Sequence, residues 1–176
     1  TGQLEEAKAR LGHWRSVDPP SSFLRHEAVL LGAVDEPLWT HLAGDPERVL
    51  ELAVDYMALG LWDDAHALLA RRYPATGVVA EPGTALPQDY PLVAYYRGYC
   101  AERAGRSGGK DFALGSGQST RYVFPNRPES LVVLRRATEA NPEDATGHFL
   151  LGSLLLSGGQ ADAALAEWER ARSLDP

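Results

Sequence analysis

The sequence contains no isoleucine, a single cysteine at position 100, and no long apolar run, and each shortage closes off a class of protein. One cysteine, Cys100, can form neither an intrachain disulfide nor a four-thiolate zinc site, which points to a reducing, cytoplasmic setting. The longest stretch without Asp, Glu, Lys or Arg, residues 145–161, is broken by Ser157, Gly158 and Gly159, so no membrane span is expected. Positive charge is also in short supply. With 17 Lys and Arg against 24 Asp and Glu, the net charge of −7 gives no electrostatic footprint for nucleic acid or an anionic membrane. A basic start leading into an apolar core and a small-residue cleavage site is missing too, so no secretory signal is read. What is abundant is 25 Leu and 25 Ala among 176 residues, a mixture strong in helix propensity and poor in strand formers. The composition predicts a soluble all-α domain or short repeat array.

A fixed period organises the chain. Numbered within a unit of about 34 residues, residues 145–176 place Leu151 and Gly152 at offsets 7 and 8, Gly159 at 15, Ala164 at 20, Trp168 at 24 and Pro176 at 32. From Pro46, the same offsets 7, 8, 15, 20 and 24 fall on Leu52, Ala53, Gly60, Ala65 and Leu69. The opening residues Gly2, Ala7, Leu11 and Pro19 fit offsets 15, 20, 24 and 32, so the chain is expected to begin inside a repeat, at its second helix. Small residues at offsets 8 and 20 let two helices approach closely, and Gly at 15 ends the first of them. The spacing therefore predicts a partial repeat at 1–19, connecting helices at 20–45 and a repeat at 46–79. It continues with an irregular repeat at 91–142, holding a loop at 105–125 and an extra helix at 127–140, and a last repeat at 145–176. About ten helices and no strand are expected, with 76–90 a loop. Asn126 is the expected cap of the extra helix, with Pro128 in its first turn.

This spacing is the tetratricopeptide pattern, and the fold it implies is an α/α superhelix of helix-turn-helix repeats. The successions Ser22-Phe23-Leu24-Arg25-His26-Glu27, Leu59-Gly60-Leu61-Trp62-Asp63-Asp64-Ala65 and Phe124-Pro125-Asn126-Arg127-Pro128-Glu129 are more specific. Over essentially its whole length the chain resembles the C-terminal helical region of bacterial proteins carrying domain of unknown function 5107. In that family such a region follows a β-rich, mutarotase-like domain. The resemblance implies that catalytic machinery lies on a companion N-terminal domain, and that this chain could be the structural part of a carbohydrate-active enzyme.

Residues that carry chemistry are scattered. The segment Gly105-Arg106-Ser107-Gly108-Gly109-Lys110-Asp111 is one residue too short for a phosphate loop, and it follows a helix. None of the five histidines pairs with another at helical spacing, so no metal or other cofactor is expected. His148 reads as a hydrogen-bonded packing residue and Cys100 as a small buried one. The acid pairs Asp35-Glu36, Asp63-Asp64 and Glu143-Asp144 stand at helix starts, where they meet the positive end of the helix dipole. No catalytic residue is assigned.

What remains is a surface. In tetratricopeptide arrays the first helix of each unit lines a concave groove, and the matching positions here include Leu50, Val54, Met57, Tyr95, Tyr99, Glu102, Arg103, Phe149 and Ser153. Tyr95, Tyr99 and Arg103 share one helix face at spacings of four and form a candidate recognition stripe. The expected function is a non-catalytic interaction or scaffolding module whose partner is a protein, a peptide or the N-terminal domain of its own parent. Uncapped ends of the array are expected to expose apolar surface open to self-association.

Overall fold

The computed structural model describes residues 2–75 and 85–175, and these are all-helical, with no strand among them. The first five α-helices are α1 (Gly2–Val17), α2 (Ser22–Leu30), α3 (Glu36–Ala43), α4 (Pro46–Ala58) and α5 (Trp62–Ala70). The other five are α6 (Pro91–Arg103), α7 (Gly109–Ser116), α8 (Glu129–Ala140), α9 (Ala145–Ser157) and α10 (Ala161–Leu174). Of the expected loop at 76–90, residues 76–84 lie outside the described residues, as does the tail of the 46–79 repeat, while Pro87–Asp89 forms a single 3-10 turn.

Most starts follow from local chemistry. The carboxylates of Asp35, Asp45 and Asp144 accept from the free amides of Leu38, Glu47 and Gly147, and Pro37, Pro46 and Pro91 fill first-turn positions where no amide is needed. The ends are more regular still. Helices α4, α6 and α9 are each 13 residues long, and each stops at a glycine of positive φ: Gly60 at 74°, Gly105 at 78° and Gly159 at 76°. The three terminations share one hydrogen-bond pattern, in which Leu61, Arg106 and Gln160 donate back to Tyr56, Ala101 and Leu155 at 2.9, 2.8 and 2.9 Å. The same closure recurs after α2, where Gly32 has φ 96° and Ala33 donates to Ala28.

Two expectations are corrected. The segment 105–125 is not a plain loop, because it contains the eight-residue α7, which packs along α6. The extra helix starts at Glu129 and not at 127, and Asn126 does not cap it. Arg127 precedes Pro128, and the proline ring disfavours helical geometry in the residue before it, which works against a start at 127.

Helix α6 is the centre of the molecule, with α5, α7, α8 and α4 packed around it. Its neighbours hold it at several positions. Against α7, Arg97 pairs with Asp111 at 2.7 Å, and Gly98 lies directly under the ring of Phe112. Against α8, the Tyr96 hydroxyl bonds Ser130 at 2.8 Å, and Glu102 holds Arg136 through two bonds of 2.6 and 2.9 Å. A continuous core runs from Leu38 to Ala164 and takes in Val133, Leu134 and Ala137 of α8, all fully buried. Val133 and Leu134 each contribute roughly 1.5–3 kcal/mol by burial, which makes α8 a fixed part of the core. A long-range strut adds to this: Glu47 accepts from Tyr90 at 2.8 Å and from Arg127 at 3.2 Å, joining the start of α4 to the segment before α8.

Candidate functional site

The structure redistributes the expected groove residues. Leu50 and Tyr95 are fully buried and Met57 nearly so, so none of the three can meet a ligand. Leu50 and Met57 belong to the continuous core, and the Tyr95 hydroxyl is consumed by Asp144, to which it donates at 2.8 Å. Val54 is half-buried against the same core. Glu102 is held by Arg136, as described above. Ser153 spends its hydroxyl on the carbonyl of Phe149 at 2.9 Å, while the Phe149 ring stays exposed. The groove over α6 is closed from two sides: the Tyr95 ring lies against Gly115 of α7, and α8 holds Glu102 through Arg136.

Two of the expected residues do share an accessible surface. Tyr99 is half-buried and meets Trp62 edge to face with ring centroids 6.2 Å apart, and the Arg103 guanidinium sits 4.9 Å above the same Trp62 ring. Beside them opens a cleft of about 340 Å³ between Tyr99 and α8, lined by Leu131, Val132, Arg135, Arg136 and Glu139. Val132 is 48% exposed, so the cleft has an apolar edge reachable from solvent. Arg136 is neutralised by Glu102 and Glu139, whereas Arg103 and Arg135 form no ion pair among the described residues. The α8 residues were not among those expected. Their signal is nonetheless in the sequence, since positions 128, 131, 132, 135, 136 and 139 follow helical spacing and trace one face.

A second cleft of about 400 Å³ lies between α9 and α10, where Phe149 and Trp168 form its aromatic wall with Arg172 and Asp175 on its edge. There the Trp168 ring nitrogen already donates to the Phe149 carbonyl at 3.1 Å, and acid and base are present together.

Elsewhere the titratable groups serve the fold. Burial pushes the Cys100 thiol up to about 12, which keeps it protonated and unreactive at neutral pH. Burial raises the Asp55 carboxyl as well, with Glu51 one turn away adding to the shift. His148 is bonded to Glu167 at 2.6 Å and is largely covered, the packing role its spacing suggested. No group of three or more His, Cys, Asp or Glu side chains is arranged to hold a metal among the described residues. No described helix is long and apolar enough to cross a membrane.

His26 is the buried group with the clearest pH consequence. Its Nδ1 lies 2.7 Å from the Tyr56 hydroxyl, which in turn donates to Glu27 at 2.7 Å, and Trp39 stands edge-on to the imidazole. Burial lowers the His26 pKa, with Asp64 opposing and Arg71 reinforcing the shift. The folded protein therefore holds His26 neutral where the unfolded chain binds a proton, so stability present above about pH 6.5 falls as pH drops. His41 and His66 are lowered by burial in the same sense. Thermal melts from pH 7.5 to 5 should show a declining Tm, with a shallower decline in His26→Gln; an unchanged slope in that variant would remove His26 from the account.

Compared with known proteins, the chain matches no family model, no curated protein and no solved structure.

Proposed function

We propose that this chain is a non-catalytic protein-interaction module of the helical-repeat, tetratricopeptide-like kind, and that its recognition surface is the Tyr99 cleft. The observation that carries the reading is the conjunction of an open apolar edge, two aromatic rings that meet edge to face, and two arginines, Arg103 and Arg135, that form no ion pair among the described residues. Aromatic and arginine side chains dominate the energy of protein interfaces, because they bury large area at low entropic cost and Arg offers several fixed donors. The regular closures at Gly60, Gly105 and Gly159 support the repeat reading.

The ligand that fits is a short segment with an apolar side chain for Leu131 and Val132 and a carboxylate for Arg135 or Arg103. Selection of a displayed random-peptide library on the intact chain, with Val132→Asp as the counter-target, tests this. Acidic, apolar sequences should be retained, with affinity about tenfold or more weaker for Val132→Asp at unchanged helical content. Failure to enrich any sequence family, or equal binding to the variant, would overturn the reading.

A further inference from the structure

The continuous core of buried apolar residues begins at Leu38, so neither α1 nor α2 supplies a member of it. Helix α1 has no buried residue, and α2 has two, His26 and Ala28. Ala28 is turned to α1, where it lines a small hollow with Lys8, Leu11, Gly12 and Arg15. What ties the two helices to the body is therefore the half-buried Phe23 and Val29, which pack against the core, and His26. The chain passes from α2 to α3 through residues 31–35, where Gly32 has φ 96° and the Arg25 guanidinium grips the Asp35 carboxylate across the bend, its Nε at 2.9 Å. Two helices thus hang on one bend and one buried titratable side chain.

That side chain is seated as a neutral ring. His26 is 5% exposed, with the rings of Trp39 from α3 and Tyr56 from α4 edge-on to it. Because the Tyr56 hydroxyl gives its proton to Glu27, Nδ1 of His26 must be the donor in the 2.7 Å bond to Tyr56. An added proton would go to Nε2, which has no hydrogen-bond partner among the described residues. The charged groups that face the imidazole are Asp64 at the start of α5 and Arg71 just past its end, of opposite sign, and Glu27 of its own helix, which Tyr56 already engages. Undocking α2 gives Nε2 to water and sacrifices only the half-burial of Phe23 and Val29. We propose that α1 and α2 form a flap, hinged at Gly32 and latched by His26, which protonation of that imidazole opens while α3 to α10 stay folded. The Arg25–Asp35 pair is the pivot: its hydrogen bonding lowers the Asp35 carboxyl and raises the guanidinium, so neither changes charge in mild acid. Burial holds the His26 pKa of the closed flap below its ordinary value. The open flap therefore binds the proton first, and below about pH 6.5 the ratio of open to closed rises by up to about tenfold per pH unit.

Amide hydrogen exchange of the intact chain, expressed as protection relative to the unstructured rate at each pH, tests this. From pH 7.5 to 5, protection across α2 should fall about tenfold, with that of α6 and α9 unchanged. In His26→Gln the α2 protection should not vary with pH. His41, whose pKa burial also lowers, lines a hollow at the start of α2 with Ser21 and Phe23, and His41→Gln should behave as the wild type. The His26 ring signal in NMR spectra of the wild-type chain, identified by its absence from His26→Gln, should titrate over the pH range in which α2 loses protection. Equal loss of protection in α2 and α6 would overturn the proposal, since acid would then unfold the whole chain. So would titration of the ring with α2 protection intact, opening of α2 with the ring still neutral, or a pH-dependent α2 in His26→Gln.

Discussion

Replacement of Asp144 by alanine is expected to lower the stability of the protein by about 3 kcal/mol, which for a chain of this size is roughly 6–12 °C in Tm. The carboxylate is fully buried and each of its oxygens has a separate duty: one accepts from the Gly147 amide at 2.8 Å, the other from the Tyr95 hydroxyl at 2.8 Å. Alanine removes a helix cap worth about 1 kcal/mol and strands a buried tyrosine hydroxyl, which costs a further 1–3 kcal/mol. Asp144→Asn keeps an acceptor for the amide and a polar partner for the phenol, and should lose much less. Tyr95→Phe should also destabilise, by leaving a carboxylate oxygen buried without its donor, and the Asp144→Ala, Tyr95→Phe double variant should lose less than the sum. Additive losses in thermal and urea unfolding would mean that the 49-residue link between α6 and α9 is not an energetic unit.

The same residue shows what could be read from the sequence. That Asp144 starts a helix follows from its place before an apolar run, and the glycines at offset 15 mark the ends of α4, α6 and α9 because a left-handed closure needs a residue without a Cβ. Local rules fix these features, and local sequence displays them. Tyr95 instead reads as a groove residue, because repeat spacing assigns a face to each position but not the neighbour that will cover it. The clue lies within α6: Leu92, Val93, Ala94, Tyr95 and Tyr96 are buried in succession, and a helix apolar on all sides is enclosed on all sides. The ties that decide which helix covers α6, Ser130 to Tyr96 and Arg136 to Glu102, each span 34 residues, and the strut from Arg127 to Glu47 spans 80. Pairings at that distance leave no periodic trace. The Tyr99 cleft was half legible for the same reason, since its α6 side follows the repeat and its α8 side belongs to the extra helix, which the repeat spacing does not place.

Helix α7 provides the sharpest case, because propensity and packing there predict opposite signs for one substitution. Residues 105–117 contain five glycines, at 105, 108, 109, 115 and 117, a composition that argues against a stable helix. Yet α7 forms and docks on α6 through close approaches that only glycine allows. A Cβ on Gly98 would lie 2.6 Å from two ring carbons of Phe112 and 3.0 Å from the Gly108 carbonyl, and the Phe112 ring is 2% exposed with nowhere to move. On propensity alone, Gly98→Ala in the middle of α6 should stabilise by about 1 kcal/mol. Overpacking against a buried ring and a backbone carbonyl costs up to about 3 kcal/mol, so the net expectation is a loss of about 2 kcal/mol. Gly98→Val should lose more. The loss should come with faster amide exchange across α7, because the clash is relieved most cheaply by letting α7 leave α6. Phe112→Leu in the Gly98→Ala background should recover part of it, although Phe112→Leu alone destabilises. An increase in Tm for Gly98→Ala would show that α7 is not held against α6 in solution, and that the glycines mark a connection and not a close-packed helix pair.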